Sequence, residues 1–543
     1  MQEADFVVVG GGTAGCVLAG RLTEDPGVSV CLLEAGKPDN DWRIQVPLGF
    51  TFTVPTRNFN WAFETVPQPG LNGRRGYQPR GKTLGGSSSI NAMMYVRGHR
   101  WDYDHWASLG NAGWSYDEVL PYFRRSENNA DLCNEFHGND GPLHVSYLRS
   151  PAPFFQLCID AAMQSGFKHT TDFNGAQQEG IGYTQVMQKN GERCSAAKAF
   201  ITPNLSRTNL RVETNACATR ILFEGKRAIG VEYRQDGKTL TIRARREVIV
   251  SAGAFQSPQL LMLSGIGDSE ELRRHGIPAV LHLPGVGRNL QDHLDINLNY
   301  RCSHPDLIGM GPATGVALLK GIAPYRKERR GIWTSNFAEV NCFLKSTPEQ
   351  PIPDLQIEIS RGITNDHGRK KVMVRGFCVI VTVLRPKSIG RVTLGSANPA
   401  EAPLIDPNFL GHPDDLALFV KGVRIARRII SSPLLDRHRG AERYTGHAMT
   451  DDEIREVVRQ RADTNYHPVG TCKMGIDEMA VVDAQLCVHG IVGLRVVDAS
   501  IMPTLIGGNT CAPSVMIGEK GAQMIQDQYQ GSAVPSRTAV SAG

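Results

Sequence analysis

The chain has 543 residues, 41% of them hydrophobic and 21% charged, and a formal net charge of +5. Single hydrophobic cores stop growing beyond roughly 250–300 residues, so two or more packed units are expected. No long basic stripe with interleaved aromatics is present, which argues against nucleic-acid binding, and no apolar run is long enough to span a bilayer.

Residues 5–9 (DFVVV) read as a short buried strand, followed by a glycine turn and an apolar helix over residues 14–22. Residues 28–34 (VSVCLLE) read as a second buried strand. Continuous apolar strands alternating with helices predict a parallel sheet covered on both faces. Residues 35–80 are rich in Pro, Asn, Gly and aromatics with little periodicity, and such irregular stretches usually carry function. A glycine cluster at residues 81–89 leads into an apolar, helix-like segment through Tyr95. Residues 248–251 (VIVS) form a further strand, ending at Ala252-Gly253 and followed by a helix around residues 258–263. The basic cluster Arg326, Lys327, Arg329 and Arg330 reads as a solvated loop, with contact to an anionic membrane surface as the alternative. Residues 493–497 form another strand, and residues 513–528 a helix whose first turn tolerates Pro513.

The segments 145–195 and 300–465 mix alternating polar and apolar stretches with many Pro and Asp residues. They suggest an antiparallel sheet with helices on one side, covering the parallel-sheet domain. The predicted division is a discontinuous parallel-sheet domain (1–145, 196–299 and 467–530), a cap (146–195 and 300–466) and a disordered tail (531–543). The 12 cysteines are dispersed without a C-x-x-C pair, as suits reduced thiols in a cytosolic protein. Neither His467 with Cys472 nor Cys487 with His489 has zinc-site spacing, so no metal is expected. The absence of a secretory pattern at the N-terminus predicts a cytoplasmic location, with attachment to the inner face of the cytoplasmic membrane left open.

Gly10, Gly12 and Gly15 have G-x-G-x-x-G spacing between a strand and a helix, with Thr13 and Ala14 inside the motif. Such glycines allow a tight turn and a close approach to a pyrophosphate held at the helix N-terminus. Glu34 ends the second strand, just before Ala35, where a carboxylate can accept hydrogen bonds from both ribose hydroxyls and repels a 2′-phosphate. This motif alone does not separate FAD from NAD.

Five further blocks, in chain order, are more specific. They are RGKTLGGSSSINAMMYVRG (80–98, with Asp104 beyond), GAFQSPQLLMLSGIG (253–267), GVGRNLQDH (285–293), HPVGTCKMG (467–475) and VVDASIMPTLIGGNT (496–510). Together they resemble the glucose–methanol–choline oxidoreductase family, most closely its bacterial acceptor-dependent alcohol and choline dehydrogenases. The resemblance implies an α/β fold with an α+β cap: a Rossmann-like FAD-binding domain and a substrate-binding domain built on an antiparallel sheet. It implies FAD and alcohol oxidation. It places Leu84, Gly86, Asn91, Ala92, Met93 and Met94 along the flavin, and Ala252, Gly253, Tyr466, Asp498, Ala499 and Thr510 near the cofactor. Ala218 is aligned to touch the adenine through its backbone. The helix entered at Pro513 would direct its positive end at the flavin N1 and C2 carbonyl. Some members tether the flavin through a histidine in the first block; Arg80 stands there in this chain, so non-covalent FAD is expected.

An alcohol must lose a hydroxyl proton and a hydride. Flavin N5 accepts hydride, and a base with a pKa near the working pH takes the proton. The resemblance assigns the base to His467. Asn509 stands where members carry His or Asn, to hold the substrate oxygen and stabilise alkoxide charge. His293 is read as structural or cap-contacting. The expected reaction converts a primary alcohol to an aldehyde, with a quinone, a dye-like acceptor or oxygen taking the electrons. Choline or sugar alcohols are alternative substrates. A cyanohydrin-type lyase on the same scaffold, a non-catalytic flavin protein and an NAD-dependent dehydrogenase are the rival readings. The identity of the alcohol and the oligomeric state are left open.

Overall fold

The apolar run Phe6–Val9 lies fully inside β1 (Gln2–Val9), buried on both faces. The computed structural model describes residues 2–530, so the tail expected to be disordered lies outside the described residues. β1 pairs in parallel with β2 (Val30–Leu33), which pairs in parallel with β3 (Leu210–Glu213). An antiparallel meander follows: β4 (Cys217–Glu224), β5 (Arg227–Gln235) and the 13-residue β6 (Lys238–Val250). β6 returns to the sheet centre and pairs in parallel with β1. Its last three residues pair in parallel with β7 (Leu494–Val496), brought from near the C-terminus, and complete a seven-stranded sheet.

Helices α1 (Thr13–Leu22), α2 (Gly253–Leu263) and α3 (Cys511–Gln530) follow β1, β6 and β7. Their N-termini therefore gather at the carboxyl edge of the parallel strands, where doubly wound sheets bind ligands. α1 packs on α3, and the Arg21–Glu519 ion pair at 2.8 Å ties the two chain ends together. Close packing requires glycine at position 15, where a Cβ would stand 2.0 Å from the Gly10 carbonyl oxygen. Gly10 itself has φ +101°, a conformation L side chains rarely adopt.

A second seven-stranded sheet is antiparallel throughout. Its order is Arg439–Arg443, Leu294–Cys302, Gly376–Val383, Leu355–Ser360, Ala338–Leu344 and Gly180–Tyr183, with Asp463–Thr464 also paired to Leu294–Cys302. The amphipathic helix Pro413–Ile430 lays Phe419, Val423 and Ala426 into this sheet's own hydrophobic core, separate from that of the parallel sheet. Among the described residues no helix is long and apolar enough to cross a membrane, and no disulfide links the 12 cysteines.

Three expectations are corrected. Residues 90–95 are not helical. Met93 has φ +57°, its N–H donates to Asn91 Oδ1 at 3.0 Å, and the segment is tied across to Gln185 and Met187 by backbone hydrogen bonds. These non-local ties override an apolar run that by itself resembled a helix. The helix expected around residues 258–263 begins at Gly253, and Pro258 falls within it. The basic cluster is no loop: Arg326 and Lys327 sit in the last turn of the 17-residue helix Pro312–Glu328, and Arg329 caps it in the left-handed conformation.

Candidate active site

A cavity of about 1490 Å³ opens between the two sheets. The first glycine loop, Glu34 and Ala218 line it, and so do His467 and Asn509. Of the residues expected to touch the cofactor, all but Gly15 and Leu84 line this cavity. Those two stand behind the wall: Gly15 packs on Gly10, and Leu84 is buried with its Cδ1 against the Gly11 backbone.

The nucleotide end fits a dinucleotide. The N-cap of α1 is Gly12, with no side-chain cap and no acidic residue in the first turn, so its free N–H groups are available to an anion. A Cβ on Gly253 would meet nothing within 4 Å, so this wall leaves room for a ligand. Thr510, Cys511 and Ser514 bring the N-terminus of α3 to the same cavity. The Asp498 carboxylate is occupied within the protein. It accepts from the Gly253 N–H (2.8 Å), Ser257 Oγ (2.5 Å) and the Ser500 N–H (2.7 Å), and Asp498 and Ala499 both line the cavity.

Burial pushes the Glu34 carboxyl up to about 7, against the backbone N–H groups of Gly36 and Gly11, which favour the charged form. Hydrogen bonds from ribose hydroxyls would favour the carboxylate further. FAD affinity of the apoprotein should therefore be full above pH 7 and fall below it, by up to about tenfold per pH unit for one linked proton. Fluorescence titration of apoprotein with FAD at pH 6 and pH 8 measures this, and Glu34→Gln should flatten the dependence. An equal dependence in the variant would assign it to another group.

The other end of the cavity is built around His467, which follows Tyr466 in the left-handed conformation (φ +70°). The Tyr466 hydroxyl meets His367 Nδ1 at 2.6 Å, and His367 Nε2 meets Asp463 at 3.1 Å. The His467 backbone N–H donates to Asp292 Oδ1 at 2.9 Å. Its ring lies between His293 and Asn509: Nδ1 is 2.9 Å from His293 Nδ1, and Nε2 is 3.2 Å from Asn509 Nδ2.

These partners determine where the protons sit. His293 Nε2 faces the Leu384 carbonyl at 2.9 Å, which can only accept, so Nε2 carries the hydrogen. Burial holds His293 down at about 4, so the ring is neutral and its Nδ1 is an acceptor. His467 Nδ1 must then be the donor, and Nε2 keeps its lone pair toward Asn509 and the cavity. Burial, and then the nearby His293 and Arg80, hold His467 well below the usual histidine value, so the ring is neutral at neutral pH. Arg80 is half-buried, donates to the Tyr466 carbonyl at 2.8 Å and lies 5.4 Å from the Phe255 ring centre.

Two features of the site were not read from the sequence. His293, assigned a structural or cap-contacting role, does contact the cap at the Leu384 carbonyl, and it is also the hydrogen-bond partner of His467 across 174 residues. Glu358 had no assignment. It lies in the buried strand Leu355–Ser360, lines the cavity, and is raised to about 7 by burial against the amides of Asn509 and Asn465. The only signal was a carboxylate in the middle of an otherwise buried strand.

Comparison with known proteins agrees with this architecture. The N-terminal GMC oxidoreductase model matches residues 4–295, and the C-terminal one residues 386–518. The chain is 46% identical to alcohol dehydrogenase (acceptor) of Pseudomonas putida over 96% of this chain and 95% of that protein. It is 45% identical to mitochondrial choline dehydrogenase of Mus musculus, over 97% and 90%. A variant of formate oxidase from Aspergillus oryzae RIB40, studied for its FAD modification, superposes with a TM-score of 0.90 at 29% identity, covering 98% of this chain and 99% of that one. With both family models matched and its cavity shaped for the FAD of such flavoproteins, the chain belongs to the GMC oxidoreductase family.

Proposed function

We propose that this protein oxidises a primary alcohol to an aldehyde, with His467 as the base. The observation that carries the reading is the hydrogen-bonded series Leu384–His293–His467–Asn509. It leaves a neutral Nε2 lone pair in the cavity shared with the glycine loop. A substrate hydroxyl replaces the Asn509 amide as donor to Nε2. The freed Asn509 N–H then donates to the substrate oxygen and stabilises its growing negative charge. The positive end of α3 favours negative charge in the adjoining cofactor region. FAD, held by the α1 N-terminus, Glu34 and the 91–94 segment, supplies the hydride acceptor when bound. With Arg80 where a tethering histidine would stand, no nucleophilic side chain offers a bond there, so the flavin is dissociable. The electrons pass on to a quinone, a dye-like acceptor or oxygen.

One observation favours a second reading, an amino-alcohol substrate. Asp295 and Glu358 both line the cavity, and burial followed by neighbouring carboxylates, Glu358 first, raises Asp295 well above its usual range. A cationic substrate group would relieve this repulsion.

Anaerobic addition of aliphatic, aromatic, sugar and choline-type alcohols, followed by air, tests both readings. Bleaching by primary aliphatic alcohols is the expected result, and bleaching by amino alcohols alone would select the second reading. A flavin that stays yellow with every alcohol would remove the oxidation reading and favour a lyase. Recolouring in air identifies an oxidase.

A further inference from the structure

The helix Pro312–Glu328 is unusual on a water-facing surface. Of its residues only Tyr325 is buried, while Leu319 is 69%, Val316 50% and Ile322 36% exposed. Exposed apolar side chains continue on both flanks. On one side stand Met310 and Met373, on strips joined by the hydrogen bond from Met310 N–H to the Val372 carbonyl. On the other, Trp333 Nε1 donates to the Leu318 carbonyl, and exposed Trp42 packs edge-on against Trp333 at 6.4 Å. Scattered exposed apolar residues are ordinary, but a contiguous patch of this kind marks an interaction surface.

Charge identifies the partner. Residues 320–330 carry Lys320, Arg326, Lys327, Arg329 and Arg330 against the single acid Glu328. Arg329 is engaged with Glu192 at 3.2 Å, and the other four basic residues are at least partly exposed. Lys371 adds positive charge on the strip beside Met373, where Lys370 is paired with Asp366 at 3.8 Å. Exposed apolar side chains beside an interfacial tryptophan, with cationic residues among and around them, are the pattern that favours the headgroup region of an anionic bilayer. Met310, Thr314 and Leu318 also line the catalytic cavity, so the patch borders its mouth.

We infer that this face docks on anionic lipid, with the helix Pro312–Glu328 lying in the membrane interface and the cavity opening toward the bilayer. Alcohols or electron acceptors dissolved in the lipid then reach the cavity without crossing bulk water. The docking stands apart from the assignment of His467, because neither the patch nor its border enters the proton transfer.

The test is sedimentation of the flavin-loaded enzyme with vesicles of phosphatidylcholine plus phosphatidylglycerol, against phosphatidylcholine alone. Wild type should sediment with the mixed vesicles and be partly released by high salt. The double variant Val316→Asp, Leu319→Asp should partition about tenfold or more weakly, since charged groups enter the interface poorly. The double variant Lys320→Glu, Lys327→Glu should lose the preference for anionic lipid. Both should keep wild-type flavin reduction by a water-soluble alcohol, which shows that they are folded. Wild type that stays in the supernatant with both compositions would overturn the inference, as would Asp variants that bind like wild type. Self-association abolished by Leu319→Asp, without vesicle binding, would overturn it in favour of a contact between copies.

Discussion

His467→Ala should keep its FAD and lose about 10²- to 10⁴-fold in the rate of anaerobic flavin reduction by alcohol, the usual contribution of a placed general base. The size follows from geometry: Nε2 is the one lone pair of the His293–His467 pair left facing the cavity, because the Leu384 carbonyl fixes the hydrogen of the other ring. Truncation removes that lone pair and leaves the Asn509 amide with no base to work beside. It also leaves buried His293 Nδ1 without a donor, a loss of about 1–3 kcal/mol that lowers stability without touching the nucleotide end. Stopped-flow bleaching measures the rate, and the flavin-to-protein absorbance ratio reports retention. His467→Gln, whose amide can still donate to His293, should recover stability but not rate. Wild-type bleaching by either variant would end the assignment.

His293 should have the next largest effect, although it acts only through His467. His293→Ala should lower kcat by about 10–100-fold, the range seen for groups that orient a metal-bound imidazole, taken here as the analogue. The pH profile separates this from a general loss of packing. His467 is depressed below the usual histidine value, so it is a competent base at neutral pH and loses activity only as pH falls through its lowered pKa. Alanine at 293 admits water to the gap and so relieves the burial that is the largest influence depressing His467. The His467 pKa then rises, and the acid limb of kcat/KM moves to higher pH. His293→Gln offers a carbonyl acceptor to His467 Nδ1 and should recover part of kcat. A lower rate with an unmoved acid limb and no recovery by glutamine would mean that His293 only fills space.

The elements that the sequence made legible are those whose cause is local. Phe6–Val9 and residues 30–33 are apolar runs short enough for buried strands, and the glycines at 10 and 15 suit a turn that brings a helix end close to its strand. Local patterning failed where distant partners decided the outcome. Residues 90–95 look helical by composition, but Asn91 and the ties to Gln185 and Met187 hold them in an irregular path. Residues 326–330 look like a solvated loop because charge obscures the end of a helix whose apolar face is also exposed.

The candidate site divides the same way. His467, Asn509 and the nucleotide loop stand in short blocks whose resemblance to a family can be read directly. The partnership with His293, the depressed basicity of His467 and the raised carboxyls of Glu34 and Glu358 cannot be read so. They arise from enclosure, because desolvation depends on what surrounds a group on every side. The sequence by itself therefore determined the fold class, the dinucleotide loop and the identity of the candidate base. Only the tertiary structure decided which nitrogen of that base faces the cavity, since that depends on a carbonyl at residue 384 and a ring at residue 293 brought together by the antiparallel sheet.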